Sequence, residues 1–219
     1  MYFKKIINSE HGFTITELLV AILISAVVMT GVYSTFYSQH KSYTVQDQVA
    51  LMQQNLRAAI QCLESEIRMA GCDPKESSGA GIVDFGANTL RITMDFTDDT
   101  GTGSADGDVL DTDEDIKYSL NGGDLLKTDK DGTDNVMAEN IDALDFVYLN
   151  GAGAVSGVTT AIRSVQITLV ARTAKPIQGY TDTTSYKNLQ GATIYTPGPG
   201  DHFRRKCIKT EVLCRNLGY

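Results

Sequence analysis

The sequence predicts an α+β protein in which one long N-terminal helix packs on an antiparallel β-sheet. Two patterns lead to this prediction. Residues 18–37 are mainly apolar, and apolar residues then recur in steps of four or three from Val45 to Ala70, as on one face of a helix. Beyond residue 71, several short segments alternate apolar and polar residues, as half-buried strands do. The apolar face of the sheet would cover the apolar stripe of the helix.

Residues 13–37 are predicted as the transmembrane half of the helix. A helix of about 20 apolar residues crosses a bilayer core of about 30 Å. Lys4 and Lys5 precede this run, which predicts a single-pass protein with a cytoplasmic N-terminus and an exported C-terminal part. Glu17 is the one charge near the start of the run. Because a carboxylate inside a bilayer costs roughly 2.5–3.5 kcal/mol on insertion scales, Glu17 needs a partner.

Residues 38–71 are predicted as the amphipathic half of the helix, outside the membrane. The stripe consists of Val45, Val49, Met52, Leu56, Ile60, Leu63, Ile67 and Ala70. Gly71 and the nearby Pro74 are the residues that commonly follow a helix end.

Residues 72–219 are predicted as a β-rich domain. The alternating segments are Leu90–Phe96, Ile116–Leu120, Leu144–Tyr148, Val165–Ala171 and Ile208–Cys214. Gly151-Ala152-Gly153-Ala154 is predicted to be a loop between strands. Its glycine pattern is not followed by a helix, so it does not indicate a nucleotide site.

The stretch Gly12-Phe13-Thr14-Ile15-Thr16-Glu17-Leu18-Leu19-Val20 resembles the class III signal of type IV prepilins and of the pseudopilins of type II secretion. The resemblance implies that a prepilin peptidase removes residues 1–12 by cutting between Gly12 and Phe13. It also implies that Phe13 is N-methylated and that Glu17 supports assembly. Two positions depart from the pattern: His11 replaces the usual Lys or Arg, and Thr16 replaces an apolar residue.

Further segments resemble PilW-type minor pilins, with the J-type pseudopilins as close relatives. These segments are 52–59, 66–71, 138–148 and 204–217, and no proline interrupts the apolar helix. The resemblance implies a type IV pilin-like fold and a minor pilin that helps to prime or cap a pilus. The implied partners are other minor and major pilins, an inner-membrane assembly platform and the lipid bilayer. The implied location is the bacterial inner membrane, with the C-terminal domain in the periplasm, and then the pilus or its tip.

Charge and motifs exclude two classes of function. The formal net charge is −8, and the leader contributes +1 through Lys4, Lys5 and Glu10, so the mature side chains sum to −9. Such an acidic chain is not expected to bind nucleic acid. Common hydrolase, nucleotide and zinc motifs are missing from the sequence, which predicts a protein that is not an enzyme and needs no organic cofactor. The basic run Arg204-Arg205-Lys206 is predicted to be the exposed end of a strand.

Four cysteines, Cys62, Cys72, Cys207 and Cys214, form an even set in a domain predicted to face an oxidising compartment. On a continuous helix Cys62 and Cys72 would lie about 15 Å apart, and on one extended strand Cys207 and Cys214 would lie about 23 Å apart. Both distances are too long for a disulfide. Any bridge should therefore join the helix end to the last strand, with Cys214 as the favoured partner there.

Acidic residues cluster between Asp98 and Asp115 and again over 129–135, with Gly and Thr between them. Carboxylates on such loops are the ligands that Ca²⁺ prefers, and Asp106, Asp108, Asp111 and Asp113 are the candidate ligands. Neither cluster fits the EF-hand pattern, and a solvated acidic turn is the favoured alternative.

Three functions therefore stay open at this point. The favoured one is a minor pilin of type IV pilus assembly. A pseudopilin of a type II secretion system shares the same fold and processing. A membrane-anchored, calcium-binding adhesin or sensor that never assembles is the alternative from another class.

Overall fold

A computed structural model of the chain describes residues 12–98 and 103–218. Its long helix, α1, runs over Ile15–Met69, as the sequence predicts. The chain divides into two compact units, Met1–Gln46 and Asp47–Tyr219. The first part of α1, up to Gln46, belongs to the first unit, and the second part, from Asp47, belongs to the second unit.

The first part of α1 exposes its large apolar side chains. Leu23 is 67% exposed and Phe36 62% exposed. In the part of the chain that the structure describes, α1 is the one helix long and apolar enough to cross a membrane. The hydroxyls of Thr30 and Thr35 donate to the carbonyls of Ala26 and Gly31 at 2.8 and 3.0 Å, so these polar groups are satisfied within the helix itself.

The second part of α1 buries the predicted stripe from Met52 onward, whereas Val45 and Val49 are half-buried. Its buried residues are Met52, Leu56, Ala59, Ile60, Leu63 and Ile67. After Met69 the chain turns at Gly71, whose φ of +78° lies in the left-handed region that favours glycine. A side chain at position 71 would also collide with Leu217. The predicted helix end is thereby confirmed.

Ten strands follow in the described residues, and every pairing between neighbours is antiparallel. The first sheet has five strands in sequence order: β1 Ile82–Phe85, β2 Thr89–Thr93, β3 Asp115–Asn121, β4 Asp124–Asp129 and β5 Asp134–Ala138. The second has the order β10-β7-β6 and consists of β6 Ile141–Asn150, β7 Ile162–Arg172 and β10 Arg205–Leu213. The short strands β8 Tyr186–Lys187 and β9 Thr193–Tyr195 pair with each other, and a 3-10 turn, Thr159–Ala161, precedes β7.

The prediction of one sheet needs a correction, because the strands form two main sheets and a small third one. The chain passes from the first sheet to the second through Asn140, which has a φ of +59°. The amide of Ile141 then donates to the carbonyl of Gly123 at 2.7 Å. The strands that the sequence missed include β5, whose first three residues are exposed and carry no alternating apolar signal.

The core joins the second part of α1 to both large sheets. Its fully buried members include Leu63, Tyr118, Ile167 and Leu169, all of which lie at predicted apolar positions. Two predicted strands are shorter than expected. β2 ends at Thr93, before Met94 and Phe96, and β10 ends at Leu213, before Cys214.

Candidate functional site

The predicted processing junction lies just before α1. Gly12, Phe13 and Thr14 precede the helix and are exposed, and Phe13 is 91% exposed. The Gly12–Phe13 peptide bond lies outside the helices and strands of the described chain. His11 and the lysines of the leader lie outside the described residues.

Thr14 and Glu17 form a reciprocal cap at the start of α1. The Glu17 amide donates to Thr14 Oγ1 at 3.2 Å. In return, Glu17 Oε2 accepts the Thr14 amide at 2.9 Å and the Thr14 hydroxyl at 2.9 Å. This is the capping-box arrangement, in which a threonine and a glutamate three residues later satisfy backbone amides that have no partner within the helix.

The departure at Thr16 is part of the same cap. Its hydroxyl lies 3.0 Å from Thr14 Oγ1, so the two threonines share a hydrogen bond beside the glutamate. Within the described residues, both bonds to the Glu17 carboxylate fall on Oε2. The other oxygen, Oε1, can therefore accept a donor from outside the chain without disturbing the cap.

The comparison with known families and structures agrees with this geometry. The model of the prokaryotic N-terminal methylation motif matches residues 7–33. Among solved structures, a type IV-like pilin from Thermus thermophilus matches with a TM-score of 0.53 and 15% identity. The match covers 76% of this chain and 98% of that one. The chain therefore carries the prokaryotic N-terminal methylation motif and shares the fold of a type IV-like pilin. No curated protein sequence is significantly similar to it.

The pilin-like fold and the methylation motif favour a structural protein over an enzyme. The motif and the long apolar helix are consistent with anchoring in a membrane. In general terms, they also imply processing by a prepilin peptidase and interaction with other pilins.

The four candidate calcium ligands do not converge. Asp106 Oδ1 accepts the amide of Asp108 at 3.1 Å, and Asp108 Oδ1 accepts the amide of Leu110 at 2.8 Å. Asp113 Oδ1 instead pairs with Lys127 Nζ at 2.7 Å. The backbone amide of Asp111 donates to the carboxylate of Glu114. Over residues 12–98 and 103–218, no three His, Cys, Asp or Glu side chains are placed to hold a metal ion. Calcium binding stays a prediction.

Two carboxylates that the sequence did not single out organise this acidic loop. Asp95 and Glu114 are both fully buried. Asp95 accepts the amides of Asp106 and Gly107 at 3.1 and 3.0 Å. Glu114 Oε1 accepts the amides of Phe96 and Thr97, each at 2.9 Å. Backbone amides thus satisfy both buried charges, which is what a buried carboxylate requires. Asp95 occupies a polar position of the alternating pattern, and that position predicts exposure.

All four cysteines are free thiols in the structure, and the disulfide candidates stay a prediction. Cys62 Sγ donates to Glu66 Oε1 at 3.6 Å. Cys214 is buried beyond the end of β10, and burial raises the pKa of its thiol to about 11. Burial also raises the pKa of the half-buried Cys72 and Cys207. These thiols are therefore protonated and unreactive near neutral pH.

Arg205 corrects the prediction of an exposed basic strand end. Its side chain is only 1% exposed. The guanidinium donates to Asp142 at 2.5 Å, to Asp182 at 3.1 Å and to Asp201 at 2.7 Å, and it also reaches the hydroxyl of Tyr195 at 3.0 Å. Three carboxylates around one guanidinium satisfy the charge that burial would otherwise penalise.

The Arg205 cluster fastens the long segment between β7 and β10. Asp182 and Asp201 lie in this segment, whereas Asp142 belongs to β6. The hydrogen bond from Arg205 is the main cause that holds the pKa of Asp201 below its usual range. Burial opposes ionisation of Asp182, but hydrogen bonds from Thr184, Tyr186 and Arg205 lower the pKa of this carboxyl overall. The neighbouring Arg204 and Lys206 are exposed, so period-two alternation was the signal that could have indicated the inward Arg205.

Proposed function

We propose that this protein is a minor pilin that takes part in type IV pilus assembly as a priming or tip subunit. A prepilin peptidase would cut between Gly12 and Phe13 and methylate the new N-terminus at Phe13. The match of the methylation motif to residues 7–33 and the exposure of the junction support this processing. The observation that carries the proposal is the Thr14–Glu17 cap directly behind the junction.

Assembly would place Glu17 beside the α-amino group of Phe13 on a neighbouring subunit. An α-amino group has a pKa of about 7.7–8.0 in model peptides, so near neutral pH it carries a positive charge. Oε2 of Glu17 is engaged by Thr14, and Oε1 remains for the incoming ammonium group. The cap would orient the carboxylate before a neighbour arrives. Pairing would then offset the desolvation of both charges and set the axial register between subunits.

The proposed location is the inner membrane of a bacterium, with the N-terminus in the cytoplasm and residues 72–219 in the periplasm, followed by the pilus or its tip. The partners would be major pilins, other minor pilins and the inner-membrane assembly platform. A helix without proline over Ile15–Met69 supports a minor subunit, because many major pilins carry a proline there.

The first test is mass spectrometry of the mature N-terminus in the native host. We expect an N-methylated Phe13 and recovery of the protein in sheared pilus fractions. An intact leader, or a protein that never enters filaments, would refute the proposal and favour an anchored adhesin or sensor. Processing with confinement to the cell envelope would instead indicate a secretion pseudopilin.

The second test addresses Glu17 directly. Glu17→Ala should abolish recovery in sheared filaments while leaving cleavage and the folded C-terminal unit intact. Asp47→Ala is the matched control, because it removes an exposed carboxylate from the same helix, and it should assemble normally. Normal assembly of Glu17→Ala would overturn the proposed role of the carboxylate.

A further inference from the structure

A polar cleft is lined by residues from three segments: 79–82 after the end of α1, 159–163 at the start of β7, and 217–218 after β10. Its volume is about 550 Å³, and Gly79, Gly81, Thr159, Thr160, Arg163 and Gly218 contribute to its wall. Small-molecule sites in proteins commonly have volumes of about 300–1,000 Å³. The described residues of the wall include no aromatic side chain, so the cleft favours a polar ligand over an apolar one.

Arg163 is the one charged residue that the structure describes in the wall of this cleft. Its Nη1 donates to the carbonyls of Thr160 and Ile162 at 2.8 and 2.7 Å. These bonds hold the guanidinium in place and leave its other N–H groups for another acceptor.

The charge of Arg163 has no carboxylate partner among the described residues. The half-buried Arg172 and the inward-pointing Arg205 both pair with Asp142. A half-buried arginine without a carboxylate is unexpected in a chain of net charge −8. An anion from outside the chain would supply the missing partner.

Gly218 leaves room for this guanidinium. Its φ is +106°, and a side chain there would collide with the Nε, Cζ and Nη2 atoms of Arg163. The absence of a side chain at position 218 therefore lets the guanidinium keep its position in the cleft.

We propose that this cleft binds a small, singly charged hydroxy-carboxylate of the size of a sugar acid. A guanidinium matches a carboxylate through two parallel hydrogen bonds. One arginine balances one negative charge, whereas a doubly charged phosphate would meet the repulsion of an acidic protein with a single cation to offset it. Thr159 and Thr160 bring hydroxyls that can hydrogen-bond the hydroxyls of the ligand. This site is independent of the assembly role of Glu17.

The test uses the full chain in micelles of a non-ionic polyoxyethylene detergent, with galacturonate as the probe and neutral galactose as its matched control. Calorimetry should show saturable binding of galacturonate with a Kd on the order of 1 mM, and galactose should bind at least tenfold more weakly. In NMR spectra of the unsubstituted protein, galacturonate should shift the amide signals of Gly79 and Gly81. Undetectable binding, equal binding of galactose or stronger binding of inorganic phosphate would overturn the proposal, as would shifts confined to another surface.

Three variants test whether Arg163 supplies the positive charge that binds the ligand. Arg163→Gln should weaken galacturonate binding at least tenfold. Gly218→Ala keeps the charge but displaces the guanidinium, and it should also weaken binding severalfold. Arg215→Gln, which removes an exposed arginine near the same end of the chain, should bind like the unsubstituted protein. Unchanged binding by folded Arg163→Gln, or equal losses in Arg163→Gln and Arg215→Gln, would contradict the assignment to this cleft.

Discussion

The two parts of α1 both carry large apolar side chains but differ in where these side chains lie. Leu23 and Phe36 in the first part are 67% and 62% exposed, whereas Leu56 and Leu63 in the second part are 0% exposed. Burial of a leucine side chain contributes about 1.5–3 kcal/mol. The second part obtains this contribution from the sheets of its own unit, whereas the large apolar side chains of the first part stay exposed in the described chain.

The charged groups of the two units show the same contrast. Arg205 is enclosed by three carboxylates of its own unit. Glu17 is exposed and is held by Thr14 alone among the described residues. The described residues of 47–218 therefore form a unit whose polar and apolar groups are largely satisfied internally, whereas the start of α1 leaves its apolar side chains and the Glu17 carboxylate exposed.

The largest expected effect comes from Arg205→Ala. Removal of the guanidinium leaves Asp182 and Asp201 without their counter-charge and leaves Asp142 with Arg172 alone. Breaking such a buried pairing costs about 3–5 kcal/mol. The free energy of unfolding should fall by this amount in urea titrations of the full chain in micelles, followed by near-ultraviolet circular dichroism of the tyrosines. Arg204→Ala removes an exposed neighbour that stacks on Tyr180 and should cost less than about 1 kcal/mol. Equal losses in both variants would show that the cluster contributes little.

A matched pair of leucines tests the comparison within α1. Leu63→Ala should lower the free energy of unfolding by about 2–5 kcal/mol, because it leaves a cavity in a close-packed core. Leu23→Ala should change the same transition by less than about 0.5 kcal/mol, as expected for an exposed site. A large effect of Leu23→Ala on this transition would contradict the division between the two parts of the helix.

The sequence predicted the features whose signal is local. The stripe from Met52 to Ala70 and the segments around Ile92, Phe146 and Ile167 repeat with the period of a helix or a strand, so their buried faces were evident before the structure. The prepilin motif likewise lies in one short stretch. Periodicity reports which face of an element is buried, and this information is independent of the rest of the chain.

The features that the sequence missed depend on partners far along the chain. Arg205 meets Asp142 at a separation of 63 residues, and nothing near either residue indicates the pairing. Asp95 occupies a polar strand position, yet it turns inward to bind the amides of Asp106 and Gly107. The division into two sheets was also missed, because the edge strand β5 is mostly exposed and shows no apolar alternation.

The free energy of unfolding at alkaline pH should reveal the buried thiol of Cys214. Burial raises the pKa of Cys214 to about 11, whereas an unfolded thiol has a pKa of about 8.5. The folded state keeps this proton longer, so the contribution is complete below about pH 8.5 and is lost as the pH rises through 11. Between pH 8 and pH 10.5, the unsubstituted protein should lose about 2 kcal/mol more unfolding free energy than Cys214→Ala. The half-buried Cys207 provides the control, since Cys207→Ala should retain most of the pH dependence. Parallel pH profiles for the unsubstituted protein and Cys214→Ala would contradict the assignment.

The smallest expected effect is confined to the start of α1. Thr14→Val removes the hydroxyl that accepts the Glu17 amide and donates to its carboxylate, and loss of such a cap costs about 1 kcal/mol. Hydrogen exchange at the Glu17 amide in micelles should accelerate about fivefold. The urea midpoint of the C-terminal unit should stay unchanged, because its core lies entirely within residues 47–218. Thr35→Val removes a hydroxyl bonded within the helix and should leave exchange at Glu17 unaffected. If Thr14→Val left exchange at Glu17 unchanged, the cap could not be what orients the carboxylate for a neighbouring subunit.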